Sequence, residues 1–275
     1  MNLNGKTVLI TGATDGLGKL VATRAANTGA TLILHGRNVA KGNQLVTELK
    51  ALGKENIFYY NADFSSLAEV KAFSNEVLKN HSHLHVLINN AAIGGGPKGS
   101  NNRELSKDGY ELRFAVNYLS HFLLTQKLLP LLQKSAPARI VNIASIGQSP
   151  LDFNDIYLKK RYDSFDAYAK SKLAQIISGF ELAEQLKNTG VAVNSLHPAT
   201  LMNTNMVFDF FGRTSSTVEE GAAVVEYVAF AKETENITGG YFNQMRQARA
   251  NSQAYDEGAR KKLWQLSEQL TKAFL

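Results

Sequence analysis

Six short apolar runs, each followed by a stretch of different periodicity, leave this chain few ways to fold. The runs are Lys6–Ile10, Ala30–Leu34, Asn56–Tyr60, His85–Asn89, Arg139–Ala144 and Val191–Leu196. Each is short, near-continuous in its apolar residues and bounded by glycine or polar residues, as expected of strands buried on both faces. Between them lie helical stretches. Gly18–Thr28 ends at Gly29, a C-terminal cap, and Val39–Leu52 ends at Gly53. Ser65 or Ser66 caps a helix to about Lys79, with Glu69 placed for a capping box. Gly94-Gly95-Gly96-Pro97 opens a loop through Asn102. Longer helices are expected over Gly109–Lys134 and Phe165–Asn188, the second closed by Gly190. Glu219–Lys232 follows, then a short strand at Gly240–Asn243 and a polar, amphipathic helix from Ser252 to Phe274. Strands alternating with helices demand parallel pairing and right-handed crossovers. The expected fold is therefore α/β, a single doubly wound Rossmann-type domain over residues 1–275. Its parallel sheet has helices on both faces, and ligands sit beyond the carboxyl ends of the strands.

Composition narrows the function. With 275 residues, 44% hydrophobic, the chain can bury a large core. It has no cysteine, which removes disulfides, thiolate metal sites and a cysteine nucleophile. The first residues lack the pattern of a secretory signal, and no apolar run approaches the roughly 18 residues of a membrane helix. The expectation is a soluble, cytoplasmic protein without a membrane span. The net charge of +6 is spread among acidic residues; the one dense run, Lys159-Lys160-Arg161, sits beside Asp163 and Asp166. It reads as solvated surface, so no nucleic-acid partner is expected. His81-x-His83-x-His85 has alternate residues on one face, but it precedes the fourth strand, at the wrong end of the sheet for chemistry, so no metal is expected.

The first strand runs into Thr11-Gly12-Ala13-Thr14-Asp15-Gly16-Leu17-Gly18 and then a helix. Glycines there permit a tight turn and close approach of backbone to a pyrophosphate, while the helix N-terminus offers free N–H groups. The spacing, Gly-x-x-x-Gly-x-Gly, differs from the commonest dinucleotide fingerprint. At the end of the second strand, where a carboxylate would bind the ribose hydroxyls of NAD, stands His35-Gly36-Arg37-Asn38. Arg37 suits a 2′-phosphate, which implies NADP(H). Asp63, beside Phe64 after the third strand, either accepts from the adenine amino group or caps a helix. Asn90, with Ala91 and Ala92, either touches the cofactor or ties strands together.

Tyr168-Ala169-Lys170-Ser171-Lys172 puts a phenol and an ammonium four residues apart on one helical face. The ammonium would favour the phenolate and lower a pKa that is ordinarily about 10. Ser145 ends the fifth strand, placed to donate to a carbonyl oxygen. Asn117 stands among apolar residues inside a helix, as a site residue, as a satisfied core amide or as a helix kink.

On Thr11-Gly12…Gly16-x-Gly18, Asn89-Asn90-Ala91-Ala92, Asn117, Ser145 and Tyr168-x-x-x-Lys172, in that order, the chain resembles the short-chain dehydrogenase/reductase family over its whole length. The stretches His35–Asn38 and Val116–Phe122, and the long Ser145-to-Tyr168 separation, resemble the retinol-dehydrogenase and protochlorophyllide-reductase-like branch. The resemblance implies Tyr168 as general acid–base, Ser145 as carbonyl polariser and Lys172 as ligand of the nicotinamide ribose that also lowers the Tyr168 pKa. It implies that Asn117 holds a water linking Lys172 to solvent. It extends the cofactor site over Gly12, Thr14–Gly18, Arg37, Asn38, Asp63, Phe64, Asn90–Ala92, Tyr168, Lys172, Pro198 and Thr200. A small-molecule carbonyl or alcohol, bulky and apolar, would bind loops at about 145–165 and 199–215.

The usual Pro-Gly after the sixth strand is Pro198-Ala199 here, and either Thr200 or Thr204 would bind the carboxamide. Met202 and Met206–Phe211 form either a substrate lid or core packing. Leu151–Asp163 would be a rim beside the site. Relatives pair through the two long central helices, so a homo-oligomer is possible. The expected function is NADP(H)-dependent hydride transfer between the nicotinamide and a carbonyl or alcohol carbon. The alternative is a silent NADPH-binding regulator, to which the intact Ser145, Tyr168 and Lys172 are opposed. A sugar-nucleotide epimerase fits less well, because its glycine spacing differs and no sizeable substrate domain follows the sheet.

Overall fold

The computed structural model describes residues 2–96 and 102–275. The part of the glycine-rich loop from Pro97 to Asn101 lies outside them. Among the described residues, eight strands form one sheet in the order β3-β2-β1-β4-β5-β6-β7-β8. Their ranges are β1 Thr7–Ile10, β2 Thr31–Gly36, β3 Ile57–Asn61, β4 Val86–Asn89, β5 Ala138–Ile143, β6 Val191–His197, β7 Gly240–Asn243 and β8 Arg246–Gln247. Every neighbouring pair is parallel except β7 with β8, which is antiparallel. The expected doubly wound sheet is present, extended by an antiparallel edge strand that its two residues were too short to signal. The strand order reverses between β1 and β4, which opens the crevice where such sheets bind ligands.

The continuous apolar runs conceal a strict alternation. Leu9, Ile33 and Leu87 enter the core on one face of the sheet. Val8, Ile10, Leu32, Leu34, Val86 and Ile88 enter the core on the other. The second face is covered by α1 Gly16–Ala26, α2 Val39–Ala51 and, later in the chain, α7 Val218–Phe230. The first is covered by α3 Leu67–Asn80, α4 Ser120–Lys134, α5 Ser164–Gln185 and α8 Glu257–Thr271. A further short helix, α6 Asn205–Phe211, buries none of its residues.

Side-chain chemistry sets the helix starts. Asp15 caps α1, Asn38 caps α2, Ser66 caps α3 and Asp163 caps α5, each accepting from a first-turn N–H. Thr217 and Glu220 make a complete capping box on α7. The box expected at Ser66 is only half made, because the Glu69 carboxylate accepts instead from the Asp63 N–H.

The helix expected from Gly109 begins later. Gly109 has φ +84°, and Glu111 bridges Leu105 in a short antiparallel contact, so the chain turns there before it coils. Phe114–Leu119 is then π-helical and runs directly into α4. The C-terminal helix lies across α4 and α5. The Trp264 ring meets Phe122 edge-on at 4.9 Å, Tyr118 pairs with Ser267, and Arg260 reaches Glu181 at 3.4 Å. The two helices read as a pairing surface are therefore partly covered by this chain itself.

Candidate active site

The glycine turn between β1 and α1 is held so tightly that side chains are excluded. Gly12 has φ +65°, and a Cβ on it would stand 2.8 Å from the Ala91 Cα. A Cβ on Gly18 would stand 2.1 Å from the Gly12 carbonyl oxygen. Thr11 fastens the turn to the end of β4: its Oγ1 accepts from the N–H groups of Asn90 and Ala91, both at 2.9 Å. The Asn90 amide donates back to the carbonyls of Thr11 and Gly12, at 2.8 and 3.1 Å. The Asn90 side chain thus ties β1 to β4. Ala91 and Ala92 line the crevice beside it, half-buried.

Several expected cofactor residues sit at this crevice but use their side chains for structure. The Asp15 carboxylate accepts from Gly16 N–H at 2.8 Å and pairs with Lys41 at 2.6 Å, and Lys41 holds that carboxyl below its ordinary value. Leu17 is buried in the core, so only its backbone faces the turn. Thr14 leans on Gly36, Asn38 caps α2, and Pro198 packs near Gly221. The Phe64 ring stacks on His35 at 4.0 Å in the core and does not face the crevice. Asp63 accepts from Ser65 N–H at 3.0 Å and pairs with Lys107 at 3.2 Å. Burial pushes the Asp63 carboxyl up, but the Ser65 and Lys107 bonds outweigh it and the net direction is down. Arg37 is exposed, and its guanidinium joins none of the hydrogen bonds or ion pairs found among the described residues. The Thr200 hydroxyl bonds His197 at 3.1 Å, while Thr204 caps α6 and approaches Gly16. The cradle suits a dinucleotide: its glycines bring bare backbone to the crevice and α1 points its N-terminus there.

The chemistry-bearing side chains gather beyond β5. Lys172 is buried, and its Nζ donates to the Ile143 carbonyl at 2.8 Å and to Gln175 Oε1 at 3.1 Å. It lies 5.8 Å from the centroid of the Tyr168 ring. Ser145, just past β5, is fixed from three sides. Its Oγ accepts from Gly147 N–H at 3.0 Å, and its carbonyl accepts from the Tyr241 hydroxyl at 3.0 Å and the Gln148 amide at 2.9 Å. The Gly147 N–H takes one lone pair of Ser145 Oγ, and the hydroxyl proton points to the Tyr168 side, where a substrate oxygen would compete for it.

The expected lowering of the Tyr168 pKa is not what the folded chain shows. Burial pushes the phenol up, and the hydrogen bond with Ser145 only partly opposes it. Burial also brings the Lys172 amine down to about 7, so the ammonium that was to act on Tyr168 is itself discouraged. Asn117 sits within the π-helical turn. Its Oδ1 accepts from Ile93 N–H at 2.8 Å, and its amide donates to the Ile93 carbonyl and to Ser171, at 3.0 and 2.9 Å. The side chain is a strut between the β4 loop and α5, and only the backbone carbonyl faces His121.

One grouping was missed in the sequence, and a second was read only in part, without Phe165. Arg113, 3% exposed, donates to the Tyr162 hydroxyl at 2.8 Å and the Gly94 carbonyl at 3.1 Å, and pairs with Glu111, which is fully buried. This clamp joins the glycine loop, the entry to the π-helical turn and the Leu151–Asp163 segment. Two opposite charges two residues apart, beside an apolar run, were its only signal. The second grouping is aromatic. Phe165 stacks on Tyr168 and on Phe210 of α6, at 6.1 and 5.1 Å, so α6 lies over the site. The histidine trio holds no metal cluster among the described residues: His81 bonds the Tyr60 hydroxyl and His85 accepts from Thr7 N–H.

This arrangement is that of an oxidoreductase working on an alcohol or carbonyl carbon. The chain matches the short chain dehydrogenase family over residues 6–211 and belongs to it. Among characterised proteins it is similar to retinol dehydrogenase 13 of Mus musculus, at 34% identity over 97% of this chain and 84% of that protein. Retinol dehydrogenase 14 of Homo sapiens is 35% identical over 97% of this chain and 86% of that protein. Among solved structures, an uncharacterized protein from Mycobacterium paratuberculosis superposes with a TM-score of 0.80 at 28% identity, covering 98% and 95% of the two chains. A short chain dehydrogenase from Escherichia coli in complex with NADPH has a TM-score of 0.73 at 25% identity, over 89% and 98%.

Proposed function

We propose that this protein uses NADP(H) to interconvert a bulky apolar aldehyde or ketone and its alcohol, with retinaldehyde-type polyenes as the first candidates. The observation that carries the reading is the cluster past β5, where Tyr168 reaches Ser145 on one side and lies 5.8 Å from Lys172 Nζ on the other. When bound, the dinucleotide supplies or takes up the hydride. The residues of the chain do the rest. In the reductive direction Ser145 and Tyr168 donate hydrogen bonds to the substrate oxygen as charge develops on it, and Tyr168 gives up its phenolic proton. A phenol kept protonated by burial suits the acid role in that direction. Lys172 would hold the ribose and, in its protonated form, supply positive charge beside Tyr168. Gly12, Gly16 and Gly18, with Thr14, Asp15 and Leu17 presenting backbone, cradle the pyrophosphate. Asn90–Ala92 and Pro198, with Thr200 or Thr204, would line the nicotinamide end.

NADP(H) is favoured by exposed, uncommitted Arg37 and by the lack of a carboxylate at the end of β2. The apolar substrate is favoured by Phe165, Phe210 and Met206 around Gly94 and Gly95, and by the kinship with retinol dehydrogenases. The test is NADPH oxidation against retinaldehyde, aliphatic aldehydes, steroid ketones and quinones. Turnover confined to bulky apolar carbonyls supports the reading. Turnover only of small polar carbonyls contradicts the substrate class, and no turnover of any contradicts the function.

A further inference from the structure

Lys172 is the only buried lysine among the described residues, and a buried ammonium stays charged only by giving its N–H groups to acceptors. The structure gives it two. One is the Ile143 carbonyl, a fixed part of β5; the other is Gln175 Oε1, one helical turn further along α5. With Oε1 turned to Lys172, the amide nitrogen of Gln175 faces the opposite way, toward His121 Nδ1 at 3.4 Å.

That histidine nitrogen is already engaged. Nδ1 lies 3.0 Å from the Asn117 carbonyl, which can only accept, so Nδ1 carries the ring proton. Nε2 is then an acceptor 3.1 Å from Thr11 Oγ1, whose one proton it shares with the Ile88 carbonyl at 3.3 Å and whose oxygen is filled by the N–H groups of Asn90 and Ala91. The Gln175 amide therefore needs another acceptor. Gln175 lines a cavity of about 20 Å³ with Asn89, His121, Thr125 and Asn142, and the buried Oδ1 of Asn89 in that wall has no partner. A space of that size with polar walls suits one water.

On the catalytic reading given above, we propose that Gln175 is a positioning residue for Lys172: its amide, steadied by a water lodged against Asn89 Oδ1, keeps the ammonium charged and aimed at the end of β5. The groups facing Lys172 leave this task to Gln175. From α5 comes Tyr168, pushed up by burial; from α4 comes His121, brought down to about 3; both are neutral near pH 7. His35 of β2, which acts on His121, is brought down to about 4 and is likewise neutral. β5 offers a carbonyl, which does not titrate. Burial alone sets the direction for Lys172, and no carboxylate acts on it among the described residues.

The test reads Lys172 directly. Lysine labelled with ¹³C at Cε is titrated by NMR in the free protein between pH 5 and 9, and the Lys172 signal is assigned by its loss in Lys172→Met. Gln175→Leu removes the acceptor and should move the Lys172 midpoint down by about one pH unit; Gln175→Glu adds a carboxylate and should move it up by about as much. A residue that merely fills space would shift neither midpoint, or both the same way, and either result overturns the proposal. Should Gln175→Leu fail to fold, Gln175→Glu decides alone: an upward shift supports, an unchanged midpoint overturns. The titration needs no substrate. A failure here with hydride transfer still lost in Tyr168→Phe would reject Gln175 and leave the catalytic reading standing.

Discussion

Gly36 has no room for a side chain, and this shapes which dinucleotide the end of β2 accepts. A Cβ there would meet Thr14 Cγ2 at 2.6 Å and the Tyr59 hydroxyl at 3.2 Å. The next residue, Arg37, has its carbonyl held by Asn61 while its guanidinium is free to reach a ligand. Arg37→Ala should weaken NADPH binding by at least about tenfold, the size of one charge-assisted contact, and leave NADH binding within about twofold. Equal losses for both dinucleotides in fluorescence titrations would show that Arg37 does not read the 2′-phosphate. Residue placement was legible where a motif forces it: Gly12 and Gly18 come together in the turn after β1, and Ser145, Tyr168 and Lys172 gather past β5. It was less legible where a side chain has two uses. Asp15, Asn38, Asn90 and Asn117 were read at the right places, yet each spends its side chain on caps or struts. Phe64 turned into the core because His35 offers it a stacking partner. Gln175 and His121 lie on the same helical faces as Lys172 and Asn117, at spacings of three and four. That spacing was available, but without the strands nothing showed what those faces meet.

At the scale of elements, α6 stands apart. It has seven residues, no buried side chain, and ends at Gly212 with φ +65°. So short a helix holds only through outside contacts, here Met206 against Gly94 and Phe210 against Phe165. Its amides should exchange quickly in the free protein and slow by at least about tenfold with NADPH and a carbonyl substrate bound. Strong protection in both states, seen by hydrogen exchange over residues 205–211, would make α6 fixed packing and not a lid. The sequence left lid and core open because exposed and buried apolar helices of this length share a composition. A helix kink at Asn117 was one of the readings open in the sequence, but its π-helical form was not legible there; the Asn117 side chain bonds Ile93 and Ser171, both outside its own helix.

Over the whole molecule, the two-faced sheet was legible from the strand runs alone, and only its antiparallel edge strand was not. The large core carries a cost that pH exposes. His35, His121 and His197 are buried and brought down to about 4, 3 and 4. Below about 6.5 the unfolded chain takes up protons that these histidines refuse in the fold. Their contribution to stability is complete above pH 6.5 and is lost as pH falls from there through about 4. Asp15, Asp63 and Glu69, held low, add their loss only below about 4.5. Urea unfolding at pH 7, 5.5 and 4.5 should therefore give a steady fall in stability. A flat profile across that range would mean that the buried imidazoles are not held neutral.

The central claim is that Tyr168 supplies the proton at the end of β5. Tyr168→Phe keeps the ring stacked on Phe165 and removes only the hydroxyl. The decisive measurement is stopped-flow NADPH oxidation by this variant, with a carbonyl that the unmodified protein reduces, beside a direct NADPH titration. The account predicts a loss in hydride-transfer rate of at least about a hundredfold with NADPH affinity unchanged. Near-normal transfer in a folded Tyr168→Phe protein would contradict it.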